Sequence, residues 1–272
     1  MNVTLAGWLA RHTGLPRLDR ELLLCHHLQL NRAVLIASPE RPVDPARLEQ
    51  LDRDAGRLAA GEPLAYLTGE RGFWDFTLKV TPDVLIPRPE TETLVEAALA
   101  RLHPGDRVVD LGTGSGAIAI ALARSAGAAV VAVDISPAAL TVARENAARL
   151  KAAVTFVEGD WLAGLEGRFR MIVANPPYVA DGDPHLDALT HEPARALLGG
   201  ADGLDALRRI VRQSPHYLEP GGWLLLEHGY DQAEAVGNLL AAAGFADIAL
   251  VRDLGGQPRV TLGRLGADHG AD

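Results

Sequence analysis

Seven short runs of apolar, mostly β-branched residues follow one another in the C-terminal two thirds of this chain. They occupy residues 108–109, 130–133, 154–157, 171–174, 223–226, 248–251 and 260–262. Apolar residues at helical spacing between them predict helices over 117–125, 137–150, 204–217 and 232–243. Such alternation indicates βαβ units on a parallel sheet. Only a short glycine-rich loop joins the last two runs, which predicts an antiparallel pair at one edge.

The first third of the chain has a different pattern. Apolar residues recur at helical spacing over residues 5–60, which predicts a small helical domain. A period-two alternation follows at Trp74, Phe76, Leu78 and Val80. Beyond the turn signal Thr81-Pro82-Asp83 lies the run 84–86, so we predict a β-hairpin there. We therefore expect a helical domain over 1–72, a hairpin linker over 73–87 and a second domain over 88–272.

Composition excludes several classes of protein. Of the 272 residues only Cys25 is a cysteine, so no intrachain disulfide and no multi-cysteine zinc site can form, and we expect no metal. No apolar stretch reaches the roughly 18 residues of a membrane span, and no basic leader opens the chain. Residues 1–80 are charge-balanced, so the net charge of −9 lies entirely in 81–272, which disfavours a nucleic-acid groove. We expect a soluble, cytoplasmic protein with no membrane or nucleic-acid partner.

A glycine-rich loop follows the first predicted strand of the second domain. Its alternate glycines are Gly112, Gly114 and Gly116. Glycine permits a sharp turn and lets a ligand approach backbone N–H groups at a helix N-terminus. With Ala117 the loop also fits a loose dinucleotide fingerprint, so a nicotinamide enzyme stays open. Asp110, just before the loop, instead suits a cationic ligand.

Asp134 ends the second predicted strand. A carboxylate there can accept both hydroxyls of a ribose, as in dinucleotide-binding folds. Its alternative role is to cap the next helix, a task for which Ser136 is also placed.

The fourth strand runs directly into Asn175-Pro176-Pro177-Tyr178. Two prolines make this loop rigid and remove two backbone donors, so carbonyl acceptors dominate. The Asn175 side-chain oxygen and the carbonyls around Pro176 can hold an –NH₂ group by both hydrogens. The loop lies at the carboxyl end of a strand, where open α/β sheets bind ligands.

Together these segments, with Asp160-Trp161, resemble the class I S-adenosylmethionine-dependent methyltransferases that modify planar amino groups. Further segments narrow the resemblance to the PrmC (HemK) peptide chain release factor glutamine methyltransferases. They are Gly61 to Gly69, Leu85 to Glu92 and Leu225 to Gly229. The resemblance spans residues 5–264. It implies a Rossmann-like seven-stranded sheet with a small N-terminal helical domain.

The resemblance also implies roles for individual residues. The cofactor S-adenosylmethionine would be bound by Asp110, Gly112, Thr113, Gly114, Ser115, Gly116, Asp134, Trp161 and Asn175. The target glutamine amide would be held by Asn175, Pro176, Pro177 and Tyr178, with Asn175, Pro176 and Tyr178 catalytic. The implied reaction is N5-methylation of the glutamine in the Gly-Gly-Gln motif of release factors, a step serving translation termination. We separately expect the enzyme to be a monomer. The alternatives are a ribosomal-protein glutamine methyltransferase and, less favoured, an N6-adenine nucleic-acid methyltransferase.

Overall fold

Residues 3–266 are described by a computed structural model, and they divide into two units between Glu70 and Arg71. The helices of the first unit are α1 (Leu5–Arg11), α2 (Arg17–Leu28), α3 (Arg32–Ala37), α4 (Pro45–Ala59) and α5 (Leu64–Thr68). Asp44 caps α4 by accepting the N–H of Ala46 over 2.9 Å, and Pro45 occupies the first turn. Leu5, Trp8, Leu23, Leu24 and Leu51 are fully buried in its core. The predicted helical character of this unit is confirmed.

A two-stranded hairpin begins at the boundary, with β1 over Glu70–Phe73 and β2 over Phe76–Lys79. Its turn places Trp74 at φ +55°, a left-handed conformation that is uncommon for a bulky residue. Because the two strands of this hairpin are 70–73 and 76–79, the predicted pairing of strand 74–80 with residues 84–86 is wrong. Residues 84–86 lie in no strand; Val84 and Ile86 are apolar because they are buried, not because they pair.

The rest of the second unit is a seven-stranded sheet with helices on both faces. In chain order its elements are α6 (Glu92–Leu99), β3 (Arg107–Leu111), α7 (Ala117–Ala126), β4 (Ala129–Asp134), α8 (Pro137–Leu150), β5 (Val154–Glu158), β6 (Phe169–Ala174), α9 (Asp205–Tyr217), β7 (Leu218–Glu227), α10 (Ala233–Ala242), β8 (Phe245–Arg252) and β9 (Pro258–Leu265). Short 3₁₀ helices cover Pro89–Thr91, Pro184–Leu189 and Ala194–Ala196. All seven predicted strands and the four predicted helices are confirmed.

The strand order is β5-β4-β3-β6-β7-β9-β8, parallel except for β9, which is antiparallel to both β7 and β8. The predicted antiparallel edge pair is thus confirmed. One core packs α6, α7 and the hairpin on one face of the sheet, and α9 and α10 cover the other. Among residues 3–266, no helix is long and apolar enough to cross a bilayer.

The register of the parallel strands sets up one row of residues. Leu111 pairs with Val133 on one side and Ala174 on the other, and Ala174 pairs with Leu226. The next residues along that row are Asp134, Gly112, Asn175 and Glu227. The row crosses the carboxyl edge of the sheet where the chain order reverses between β3 and β6, the usual ligand position in such folds.

Candidate active site

The glycine loop turns the chain from β3 into α7. Gly112, Gly114 and Gly116 all have positive φ, at +72°, +55° and +85°. At Gly116 a Cβ atom would also lie 3.1 Å from the Ile120 side chain and 3.3 Å from the Ala143 side chain. Gly116 therefore serves the close packing of α7 on α8, whereas Gly112 and Gly114 face a cavity.

Asp134 joins the glycine loop to the end of β4. Its carboxylate accepts the N–H of Gly114 and the N–H of Ser136, each over 2.9 Å. The Ser136 hydroxyl accepts the N–H of Ala139, so Ser136 is the N-cap of α8. The capping role left open for Asp134 therefore belongs to Ser136. Each Asp134 oxygen keeps a second lone pair for a ligand hydroxyl.

Asp110 is fully buried beneath the loop. Its Oδ2 accepts the Thr113 hydroxyl over 2.7 Å and the N–H of Ala119 over 3.2 Å. Its Oδ1 is buried without a hydrogen-bond partner among the described residues. Burial raises the pKa of Asp110 to about 7, and the nearby charge of Asp134 acts in the same direction. A cation bound at the loop would offset this cost.

A cavity of about 530 Å³ opens over the loop and the row. Its walls comprise Pro82, Asp83, Val84, Leu85, Gly112, Gly114, Asp134, Ile135, Ser136, Ala139, Gly159, Asp160, Trp161, Asn175, Pro177, Pro193, Arg195 and Ala196. The Trp161 ring lies 3.4 Å from where a Cβ of Gly112 would be, so the ring borders the glycine loop. The cavity thus offers a flat aromatic group, a carboxylate and bare backbone, which fit an adenine, a ribose and a methionine tail.

The predicted cofactor residues divide into two groups. Gly112, Gly114, Asp134, Trp161 and Asn175 line the cavity. The other four lie outside the cavity walls and support the conformation of the loop. They are Asp110, Thr113, Ser115 and Gly116. For example, the Ser115 carbonyl accepts the Nδ2 hydrogen of the buried Asn146 over 2.9 Å. Sequence reasoning missed the wall segments 82–85 and 193–196, and the latter carries no motif that would have revealed it.

A second cavity, of about 460 Å³, lies on the other side of Asn175. Its walls comprise Leu85, Arg88, Asn175, Pro176, Tyr178, Val179, Asp183, His185, Leu189, Ala196, Leu197, Gly229, Tyr230, Asp231 and Arg259. Leu85, Asn175 and Ala196 belong to both cavities. The Asn175 Nδ2 donates a hydrogen bond to the Thr91 hydroxyl over 3.1 Å, which turns Oδ1 to the opposite side.

Buried polar groups surround Tyr178. Burial raises its pKa above the ordinary value for a tyrosine, so the phenol stays protonated. Burial also raises the pKa of Glu227 to about 7, although the hydroxyls of Thr91 and Tyr178 and the charge of Arg259 lower it. Arg259 is held by Asp253 over 3.2 Å. Glu227 was not predicted as a site residue, although it directly precedes His228-Gly229 in a segment that carries the family resemblance.

His228, which the sequence left out of the site, is satisfied by its surroundings. Its Nδ1 lies 2.8 Å from the Gly229 carbonyl oxygen and its Nε2 lies 2.7 Å from the Thr261 hydroxyl. Both ring nitrogens are therefore occupied by contacts within the protein.

The Pro-Arg-Pro segment is fixed to the opposite wall by Glu192. The N–H of Ile86 donates to the Glu192 carboxylate over 3.0 Å, and Arg88 forms an ion pair with the same buried group. Glu192 directly precedes the wall segment 193–197, so these contacts connect that segment to residues 86–88.

Two family models match the chain. Residues 89–229 match the Methyltransferase small domain, and residues 8–69 match the PrmC N-terminal domain. A release factor glutamine methyltransferase of Xylella fastidiosa (strain 9a5c) is 50% identical over 257 residues, covering 92% of this chain and 94% of that protein. The chain belongs to the release factor glutamine methyltransferase family. The Yersinia pestis protein of the same name is 46% identical over 96% of this chain and 97% of its own length.

Solved structures show the same fold at low identity to this methyltransferase. A methyltransferase from Pyrococcus furiosus has a TM-score of 0.57 at 17% identity, covering 79% of this chain and 99% of that one. The T. thermophilus 16S rRNA N2 G1207 methyltransferase, solved with AdoMet and guanosine, has a TM-score of 0.54 at 23% identity, covering 72% of this chain and 49% of that one. The predicted class I methyltransferase fold and S-adenosylmethionine-dependent activity are confirmed. The nicotinamide alternative is excluded by this family membership.

Proposed function

We propose that this enzyme methylates the N5 side-chain nitrogen of the glutamine in the Gly-Gly-Gln motif of peptide chain release factors, with S-adenosylmethionine as the methyl donor. The observation that carries the proposal is the position of Asn175 in the shared wall of two cavities. The first cavity offers groups for the cofactor, and the second is lined by the carbonyl-rich Pro-Pro loop and by Tyr178.

S-Adenosylmethionine, when bound, supplies an electrophilic methyl group on a sulfonium sulfur. In the first cavity Asp134 would hold the ribose hydroxyls, Trp161 would contact the adenine, and the backbone of Gly112 and Gly114 would leave space for the methionine moiety. The buried Asp110, which supports the loop through Thr113 and Ala119, would stabilise the cationic end of the cofactor by its negative charge.

An amide nitrogen is a weak nucleophile because its lone pair is delocalised into the carbonyl. The enzyme therefore acts mainly by positioning. The Asn175 Oδ1 and the Pro176 carbonyl each accept one N–H of the substrate amide, and Tyr178 forms a flat wall against it. Such positioning can lower a barrier by up to roughly 7–11 kcal/mol. The nitrogen gains the methyl group, the carbon–sulfur bond electrons stay on sulfur, and the nitrogen releases one proton to water. The same two acceptors stabilise the positive charge that develops on nitrogen.

The first unit, which matches the PrmC N-terminal domain, is proposed to supply selectivity. A pocket for one amide cannot distinguish one glutamine from all others, so discrimination requires contacts remote from the reacting nitrogen. The unit carries none of the cofactor motifs. A protein substrate with a defined surface fits that division of labour better than a free peptide. We further propose that the enzyme acts as a monomer in the cytoplasm.

The acidic balance of residues 81–272 supports a protein substrate over DNA or RNA, because nucleic-acid binding draws on positive charge. The test is to incubate the enzyme with methyl-labelled S-adenosylmethionine and, separately, with a release factor, the same release factor carrying alanine for the glutamine of Gly-Gly-Gln, a ribosomal protein mixture and duplex DNA. We expect label only in the unaltered release factor. Label in ribosomal protein or in DNA alone would overturn the proposal.

A further inference from the structure

The carboxamide of Asn175 has two chemically opposite ends, and only one of them can accept a hydrogen bond. A substrate –NH₂ group needs the oxygen end, so an Asn175 turned by 180° would present N–H against N–H. Something must therefore fix the orientation of this side chain. The candidate is Thr91, whose hydroxyl lies 3.1 Å from the Asn175 Nδ2.

Thr91 alone does not fix the orientation, because a hydroxyl both donates and accepts. Thr91 ends the 3₁₀ helix Pro89–Thr91 and is buried, with 4% of its surface exposed. Its hydroxyl also lies close enough to the Glu227 carboxyl at the end of β7 to lower the pKa of that group. An ionised carboxylate only accepts, so it takes the single Thr91 proton. The lone pairs of the Thr91 oxygen are then left for Asn175, which must approach with its N–H.

Burying the Glu227 carboxyl at this position costs free energy of folding. It is 1% exposed, and its Oε2 is buried with no hydrogen-bond partner among residues 3–266. Leaving a buried carboxylate oxygen unpaired costs free energy, and Glu227 lies outside both cavity walls, so contact with substrate does not explain it. A role exerted through Thr91 does.

We propose that Thr91 and Glu227 are positioning residues, which act in series to hold the Asn175 carboxamide with its oxygen facing the substrate nitrogen. This inference rests on the proposed function, since it assigns the orientation that an amide substrate requires. Neither residue touches the reacting atoms. Thr91 belongs to the 3₁₀ helix and Glu227 to β7, and the fold brings these two elements together across 136 positions of sequence.

The charge on Glu227 decides the direction of this chain of hydrogen bonds. Arg259 from β9 favours the ionised form, as do the hydroxyls of Thr91 and Tyr178, whereas burial and the charge of Glu90 oppose it. These opposing effects place the pKa of Glu227 at about 7. Below that pH the carboxyl gains a proton that it can donate to Thr91, which removes the constraint on Asn175.

The experiment measures single-turnover methyl transfer to a release factor with the full-length enzyme and saturating S-adenosylmethionine. The variants are Thr91→Val, Thr91→Ser, Glu227→Gln and the double variant Thr91→Val/Glu227→Gln. Thr93→Val is the matched control, because it makes the same hydroxyl-to-methyl change at a buried position two residues away. Thermal unfolding and calorimetry of cofactor binding establish that each variant is folded and binds S-adenosylmethionine.

We expect Thr91→Val to lower the transfer rate at least about tenfold, with unchanged cofactor affinity, because a misoriented Asn175 loses a bond made to the reacting group. Thr91→Ser restores most of the rate, and Thr93→Val matches the wild type. Because Thr91 and Glu227 act in series, the double variant is no slower than Thr91→Val alone. The wild-type rate falls as the pH drops below about 7, and this fall is lost in both single variants.

Equal rates for Thr91→Val and Thr93→Val would overturn the inference while leaving the proposed function intact. So would losses in Thr91→Val and Glu227→Gln that multiply in the double variant, since independent effects exclude a chain in series. Absence of transfer to the release factor by the wild type would instead refute the proposed function, and the inference with it.

Discussion

The carboxylate of Asp134 accepts the backbone N–H of Gly114 over 2.9 Å, so the last residue of β4 supports the glycine loop that follows β3. One side chain thereby both shapes the cofactor cavity and forms part of its wall. Loop geometry and ligand binding are coupled at this residue, which makes Asp134 the most informative position at which to test the cofactor assignment.

Replacing Asp134 with alanine is expected to weaken S-adenosylmethionine binding strongly. Two charge-assisted hydrogen bonds to the ribose are lost, each worth roughly 1.5–3 kcal/mol. Titration calorimetry on the folded variant measures the effect. Asp83→Ala removes a negative charge from the same cavity wall and is the control, with a much smaller loss expected. Unchanged affinity in Asp134→Ala would exclude the ribose contact.

Replacing Asn175 with alanine is expected to abolish methyl transfer while leaving most of the cofactor affinity. Asn175 shares the wall of the first cavity with many other residues, but its oxygen is the acceptor that we propose holds the substrate amide. The loss should therefore fall on the chemical step rather than on binding. Parallel calorimetry and single-turnover kinetics separate the two, and near-normal turnover would refute the two-acceptor mechanism.

The buried Asp110 makes the stability of the cofactor-free enzyme depend on pH. Its pKa rises from 3.8 to about 7 on folding, so the protonated form is favoured in the folded state. The stability that this group contributes is fully present below the unfolded pKa and is lost as the pH rises through about 7. At about 1.4 kcal/mol per pKa unit the loss approaches about 4 kcal/mol.

Replacing Asp110 with asparagine, which stays neutral, removes this dependence. The melting temperature of the variant relative to the wild type should therefore rise between pH 5 and pH 8, by roughly 5–10 °C, because about two of the three pKa units fall in that window. Glu227 titrates in the same range in both proteins, so the difference between them isolates Asp110. A difference that is constant with pH would show that Asp110 does not titrate there.

Two glycines of the loop should respond differently to substitution by alanine. Gly114, at φ +55°, has open space where a Cβ would lie, so Gly114→Ala costs only the left-handed conformation, roughly 1–2 kcal/mol. Gly116→Ala adds overlap with Ile120 and Ala143, which costs roughly 1–3 kcal/mol more. Urea unfolding measures both. Equal losses would mean that α7 moves freely away from α8.

Removal of the first unit is expected to separate cofactor binding from substrate recognition. A chain beginning at Arg71 should bind S-adenosylmethionine but methylate a release factor with a greatly reduced kcat/KM, whereas a short Gly-Gly-Gln peptide should be a poor substrate for both proteins. The cut lies before the hairpin because Phe73, Phe76 and Leu78 of the hairpin are buried in the core of the second unit. An unchanged kcat/KM would place recognition on the second unit itself.

Local patterns predicted the sheet well because each strand carries its own apolar run. The hairpin was misassigned because the residues of β1, Glu-Arg-Gly-Phe, lack the alternation of a strand, and because the turn depends on a left-handed Trp74 rather than on glycine. The apolar run 84–86 resembled a strand only because burial and β-pairing both select such residues.

In the candidate site, as in the sheet, residues within a local motif could be predicted from the sequence, whereas contacts between distant segments could not. Asp134 and Asn175 were identifiable because each stands within a short motif at the end of a strand. Thr91 lies in the segment Leu85 to Glu92 that carries the family resemblance, but nothing in that segment indicates a contact with Asn175. Its contact with Asn175 joins residues 84 positions apart, and only the tertiary fold creates it.

The wall shared by the two cavities has a consequence for inhibitor design. Because Leu85, Asn175 and Ala196 face both spaces, a nucleoside fragment designed for one and a carboxamide fragment designed for the other can be joined by a linker across this shared wall. Once the nucleoside fragment of such a bivalent molecule is bound, its carboxamide fragment is present at a high effective concentration near the second cavity. Compounds that fill only the nucleoside space lack this advantage, and the shape of the carboxamide end becomes the means of selecting this enzyme over other users of the same cofactor.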